Sequence, residues 1–315
     1  MSNRTAISRV KSKLREIKRI SPKHEFSSLK IDQQYTTIRR QIALLKKGNT
    51  TKMACVIHLY YTESWEALSK KLKQIKAFPF DLYVSLPSHN VLFKDIILED
   101  FPGAFIYESP NRGRDVLPFL SIAGILYENG YSSVLKLHSK KSTHRTDGED
   151  WFKDMIESLI PKTLDLQSLL IETLEKPNTG VIGPVNQYTS LKVNFEANGS
   201  HMTRVVKSLY SKFIAHETLQ INRSKYGFFA GTMFWVRLDS ILHLFKAIQA
   251  RRFESETGQI DATFAHAIER LLCVIPEIEG KKMYEISTKK IEPINYSDGI
   301  IPDWSNVYIG PKPIK

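Results

Sequence analysis

The chain has 315 residues, 42% of them hydrophobic and 25% charged, globular values that exclude a disordered or low-complexity protein. Its net charge of +12 sits almost entirely in residues 1–52, where 14 Lys/Arg face 3 Asp/Glu; the nearly neutral remainder argues against a nucleic-acid-binding face spread over the fold. No run approaches the roughly 18–20 apolar residues of a membrane span, and charges stand where a signal peptide has its apolar core, so a cytoplasmic or membrane-peripheral protein is expected.

Ile7, Val10, Leu14, Ile17 and Ile20 recur at spacings of three and four among Lys and Arg, and Tyr35, Ile38, Ile42 and Leu45 repeat the pattern before Gly48. Residues 1–52 therefore read as a basic amphipathic helical arm, which fits either an interfacial helix on an anionic bilayer or a helical hairpin packed on the body. From Met53 strands and helices alternate. Strands are expected at Ala54–Tyr61, Phe80–Leu86, Ala104–Tyr107, Ser133–Leu137 and Gly180–Val185, with helices at Trp65–Ile75, Val91–Leu98, Val116–Glu128, Trp151–Leu159, Leu164–Leu174 and Met202–Phe213. Tyr226–Arg237 reads as one aromatic strand interrupted at Ala230-Gly231-Thr232, where Gly marks a bulge or a close approach. Asp239–Arg251 and Gln259–Leu272 complete the helices, the second entered through Gly258 with Asp261 near its start. The class is α/β, a single domain with a mostly parallel sheet flanked by helices. Cys55 and Cys273 lie in apolar runs without metal spacing and read as inert buried thiols.

Ala104–Ser142 has the order of a βαβ crossover, which brings the loops Asn111–Asp115 and His138–Ser142 to the rim where open α/β sheets bind ligands. Arg112 and Arg114 in one loop, with Lys136, His138, Lys140 and Lys141 at the other and Ser139 and Ser142 as hydroxyl donors, imply an anion site for phosphate or diphosphate. Ordinary solvated loop-tip charges are the bland alternative. Lys136 weakens it, because it sits inside the apolar run Val134–His138, where alternation sends Lys136 and His138 to one face. Asn111 and Asp115 flank Gly113, a sufficient reason for a turn, and a Gly-bearing loop also lets backbone approach a ligand.

Four segments, PNRGRDVLPFL (110–120), VLKLHSKKS (134–142), FFAGTMFWVR (228–237) and DATFAHAIERL (261–271), resemble in order and spacing the rhamnan synthesis protein F family of bacterial polysaccharide biosynthesis. The resemblance covers about residues 53–280 and implies a glycosyltransferase that extends a cell-surface polysaccharide or lipid-linked glycan from a nucleotide-diphosphate sugar, often a rhamnose donor. The element order is also similar to the GT-A glycosyltransferase fold, which implies a transferase domain over 53–285 and a tail over 286–315. That fold carries an Asp-x-Asp metal motif where this chain has His138-Ser139-Lys140-Lys141. The implied donor contacts are Asn111, Arg112, Gly113, Arg114, Asp115, Lys136, His138, Lys140, Lys141 and Ser142, with cations in place of a metal; a divalent metal on Asp115, Asp147, Glu149 or Asp150 is the alternative.

The resemblance also makes Asp261 the general base of an inverting transfer, with Gly231, Thr232, His266 and Arg270 on the acceptor side. Without it, Asp261 reads as an acid at a helix N-terminus, His266 equally as a core histidine, and Glu269–Arg270 as a helix-surface pair. Phe228, Phe229, Phe234 and Trp235 read as core, with room for one or two to stack on a sugar. The expected partners are the donor, a lipid-linked or polysaccharide acceptor and an anionic membrane, with no nucleic acid. The competing classes are a non-catalytic anion- or nucleic-acid-binding protein with a basic arm, and a degenerate transferase acting as an assembly partner.

Overall fold

The structure is a computed structural model that describes residues 36–41, 51–139, 148–210, 221, 223–259 and 261–294. Lys140, Lys141, Ser142 and Asp147 lie outside the described residues, as do most of the amino-terminal arm and residues 295–315. Of the arm, 36–41 is helical. Ile38 is buried there with residues of the domain core, and Arg39 Nε donates to Ser121 O at 3.1 Å, so this turn packs on the body.

The sheet strands are β1 (Met53–His58), β2 (Asp81–Leu86), β3 (Phe105–Glu108), β4 (Ser133–His138) and β5 (Thr179–Pro184), followed after a small two-stranded sheet of β6 (Tyr188–Ser190) and β7 (Gly227–Phe229) by β8 (Phe234–Arg237), β9 (Lys282–Ile286) and β10 (Ile291–Pro293). The main sheet has eight strands in the order β10-β9-β5-β8-β4-β1-β2-β3. β3, β2, β1 and β4 run parallel, as do β5 and β9; β8 and β10 are antiparallel to their neighbours. The sheet thus continues to Pro293, past the domain boundary expected at 285.

The helices are α1 (Trp65–Leu72), α2 (Lys94–Asp100), α3 (Val116–Glu128), α4 (Gly148–Leu159), α5 (Leu164–Glu175), α6 (Gly199–Tyr210), α7 (Leu242–Ala247) and α8 (Phe264–Ile278). Central β1 is buried on both faces, as its unbroken apolar run requires. Ala54 and Val56 pack with α3, α6 and α8 on one side, and Met53, Cys55 and Ile57 with α1, α2, α4 and α5 on the other. Both cysteines are free and buried, and burial pushes each thiol up.

Three expectations from sequence are corrected. Tyr226–Arg237 is not one strand: Gly231 (φ 91°) and Thr232 (φ 55°) turn the chain out of the small sheet and into the main one. Asp239–Arg251 is broken into short helical pieces rather than forming one helix. The last helix begins at Phe264, because Ala262 (φ 70°) cannot be helical and Thr263 is the true cap, its hydroxyl accepting from His266 N–H.

Candidate functional site

The crossovers from β1 through β3 build the sheet in one direction, and α3 carries the chain back across to place β4 on the other side of β1. β1 and β4 therefore flank a topological switch point, the usual ligand crevice of such sheets. His58 and His138, the last residues of the two strands, are register partners there. Beyond them Ser139 Oγ accepts the backbone N–H groups of Tyr60 (2.8 Å) and Tyr61 (2.7 Å), tying the loop after β1 to the loop after β4.

Lys136 is 1% exposed. Its ammonium pairs with Asp115, donates to Thr232 O at 2.8 Å and lies 5.8 and 5.9 Å from the Phe119 and Phe234 ring centres. Asp115 is the N-terminal cap residue of α3, yet its side chain makes no cap bond and turns to Lys136 instead. Burial raises its pKa, but His138, Lys136 and His58 together outweigh burial and hold the carboxyl far below the usual range. Lys136 is thus balanced inside the protein. His138 faces two carbonyl oxygens, Nε2 to Gly231 O at 2.7 Å and Nδ1 to Ser139 O at 3.0 Å. Carbonyls only accept, so the cationic ring is the form that satisfies both contacts. The left-handed pair Gly231-Thr232 makes this possible by aiming successive carbonyls at His138 and Lys136.

His58, which stood outside the sequence reading, completes the cluster through Nδ1 to Ser85 Oγ at 2.8 Å. Burial, helped by His138 and Lys136 and opposed by Asp115, lowers its pKa from 6.5 to about 4. A folded pKa below the unfolded one means the unfolded chain binds the extra proton first, so His58 costs no stability above about pH 6.5 and destabilises progressively as pH falls toward 4. The expected loss is up to about 3 kcal/mol. Urea midpoints taken from pH 7 to 4.5 will show it, and His58→Asn will flatten that part of the profile.

A second cluster adjoins the first through Arg114, the neighbour of Asp115. Gly113 (φ 66°) and Arg114 (φ 55°) are both left-handed, and a Cβ on Gly113 would stand 2.6 Å from Leu117 Cβ and 2.7 Å from Phe253 Cδ1. The tight turn brings the loop against residues 253–256: Arg112 bridges to Ser255 and donates to Phe253 O. Arg114, its side chain 39% exposed, meets His266 Nε2 and lies 3.8 Å from Glu256. Because an arginine only donates, the Arg114 contact calls for a neutral ring whose Nε2 accepts, while Nδ1 lies 2.7 Å from Thr263 Oγ1 and 3.4 Å from the Thr263 backbone N. Burial, and then Arg114 and Arg270 against Glu269 and Asp261, lower the His266 pKa, in keeping with this neutral form. Glu256, also missed in the sequence, is pushed up by burial despite Arg114.

Asp261 lies before α8 rather than in its first turn. Its Oδ1 accepts from Asn198 Nδ2 at 3.0 Å and stands 3.5 Å from Arg270 Nη2 and 3.9 Å from His266 Nδ1. Burial raises its pKa, but Arg270, Asn198 and His266 bring it below the ordinary value. Arg270 is not half of a surface pair: it is buried, donates to His266 O at 2.8 Å and sits 4.8 Å from the Phe228 ring. Phe228, Phe229, Phe234 and Trp235 are all buried. Asn111 is exposed at the loop. Glu149 and Asp150 are exposed in the first turn of α4, and no group of three His, Cys, Asp or Glu is arranged to hold a metal among the described residues.

Three of the four non-glycine residues with positive φ among the described residues, Arg114, Thr232 and Ala262, fall in these two clusters. Such backbone costs on the order of 1–3 kcal/mol per residue and gathers at functional sites. Two proteins from Xanthomonas campestris pv. campestris strains, both named Uncharacterized protein WxcX, are 38% identical to the chain over 164 residues, 51% of this chain and 22% of each relative. The chain therefore spans about a fifth of the length of these curated relatives. No solved structure matches. The sequence model described as Rhamnan synthesis protein F matches residues 10–280, a span that contains both clusters, and the chain accordingly belongs to this family of polysaccharide biosynthesis.

Proposed function

We propose that the sheet and its helices form a GT-A-like glycosyltransferase domain that moves a sugar, rhamnose by the family's name, from a nucleotide-diphosphate donor to a growing polysaccharide or lipid-linked glycan with inversion. The observation that carries this reading is that Arg114, on the loop before α3, meets His266, whose other ring nitrogen lies 3.9 Å from the held carboxylate of Asp261. Arg114, its side chain 39% exposed, supplies an accessible cation for the diphosphate. In the step proposed, the acceptor hydroxyl gives its proton to Asp261 as its oxygen bonds the anomeric carbon. The bond from that carbon to the diphosphate oxygen breaks, and its electron pair leaves with the nucleoside diphosphate. Fixed cations favour that departure because negative charge grows there.

Asn198 and Arg270 orient Asp261 through Oδ1 and keep it ionised, as a general base must be. No helix among the described residues is long and apolar enough to cross a membrane. A lipid-linked acceptor would bring the domain to the inner membrane face, with the basic arm drawn to anionic lipid.

A thermal-shift screen of the full chain against dTDP, UDP, GDP and their sugars, with manganese or with EDTA, tests the reading. A ligand at a hundredfold its Kd stabilises by about 2.7 kcal/mol, several degrees for a domain of this size. One diphosphate series is expected to raise Tm and to do so equally in EDTA. Absence of any nucleotide response would overturn the donor site.

A further inference from the structure

Away from the β1/β4 crevice, a cavity of about 520 Å³ lies between the start of α6 and Arg223. Ser200, Thr203, Arg204 and Lys207, at the i, i+3, i+4 and i+7 positions of α6, line it from one helix face, and Arg223 lines it from the other side. The Arg223 guanidinium is stacked 4.2 Å from the centre of the Phe195 ring. Three cations and two hydroxyls therefore line it. The single carboxylate among the lining residues, Glu196, lies 3.3 Å from Arg223 and is 93% exposed, so it is free to swing into solvent.

Arg252 stands near Arg204, and burial together with that like charge holds the Arg252 guanidinium below its usual pKa. The cavity also borders the turn that holds Asp261. Phe195 and Gly199, both lining residues, close a turn through Gly199 N–H to Phe195 O at 2.7 Å. Asn198 within that turn is fully buried and is the residue that holds Asp261 Oδ1, while its own Oδ1 has no hydrogen-bond partner among the described residues.

We infer that this cavity binds a phosphate group of the acceptor, across the Phe195–Gly199 turn from Asp261. The inference rests on Asp261 marking the acceptor side in the function proposed above. The charge excess on the wall matches the two negative charges of a phosphate monoester or of a diphosphate joining two groups, and the hydroxyls and arginine forks suit its oxygens. Such a phosphate is found on a lipid carrier and on a soluble sugar phosphate alike.

Isothermal titration of inorganic diphosphate into the full chain tests this, with Arg204→Gln/Arg223→Gln and Arg114→Gln as comparisons. The two arginines are exposed, so the double variant is expected to melt at the wild-type temperature. It should bind diphosphate at the cavity at least about tenfold more weakly, whereas Arg114→Gln should leave this event in place. A double variant that matches the wild type in stoichiometry and affinity would overturn the inference. If Arg114→Gln changes nothing and the double variant removes all binding, the cavity stands and the donor crevice fails. Phosphatidylcholine vesicles carrying phosphatidic acid separate the two sources. Weaker pelleting of the double variant assigns the phosphate to a lipid, and unchanged pelleting with lost diphosphate binding assigns it to a soluble acceptor.

Discussion

Asp115→Asn lowers the stability of the domain by about 3–5 kcal/mol, the cost of leaving one member of a buried ion pair unmatched. Lys136 is the reason. Its ammonium is enclosed by Asp115, the Thr232 carbonyl and two phenyl rings, and an amide cannot supply the missing charge. A fall in Tm on the order of 10 °C follows. The control is Asp115→Asn combined with Lys136→Met: removing both charges leaves an apolar side chain between Phe119 and Phe234 and should recover most of the loss, as replacement of buried pairs often does. Chemical denaturation at pH 7 of the two variants measures the difference. A single variant as stable as the wild type would show that Lys136 does not depend on this carboxylate.

Asp261→Asn is expected to reduce sugar transfer by roughly 10²–10⁴-fold while leaving the donor-induced Tm shift unchanged. Asn is isosteric, and its carbonyl oxygen can still accept from Asn198 and Arg270, so the turn before α8 should keep its shape. Loss of turnover without loss of donor binding separates a base from a residue that only supports the site. Because Arg270 and Asn198 hold the carboxyl low, wild-type transfer should not decline with acid until pH falls below the ordinary carboxylate range. Near-normal turnover in the Asp261→Asn enzyme would make Asp261 a structural partner of Arg270.

The alternation from β1 to β4 was legible because buried parallel strands are written as apolar runs, and turn signals separate the elements here, Pro87 after β2 and Asn129-Gly130 after α3. The rim loops followed from that order alone. Other features depend on backbone angles that side-chain patterns do not encode. Aromatic residues stand on both sides of Thr232, so the pattern joined two strands that belong to different sheets.

Periodicity also ran the last helix back to Gln259, whereas the left-handed Ala262 delays it to Phe264. Alternation put Lys136 and His138 on one face, yet a pattern of polarity cannot reveal that the face is buried or that the counter-ion of Lys136 is the residue capping the preceding helix. Arg270 looked solvated because its partner, Asp261, was assigned to the helix itself. His58 was hidden because the apolar run continues to Tyr61: only the strand's end at His58, in register with His138, brings the two histidines together.

The place of β8 has a consequence for synthesis of the chain on the ribosome. β8 is the neighbour that covers the outer edge of β4, and it separates β4 from β5. Translation therefore releases β1 through β4 with one edge of β4 unpaired, and that edge stays open while α4, α5, β5 and α6 are made. An open apolar edge of this kind is a template for pairing between nascent chains. The exposed interval ends only when Phe234–Arg237 emerges, and the same event delivers the Thr232 carbonyl to Lys136. Truncations that stop before residue 237 should accordingly aggregate, whereas those extending past Arg237 can close the seam.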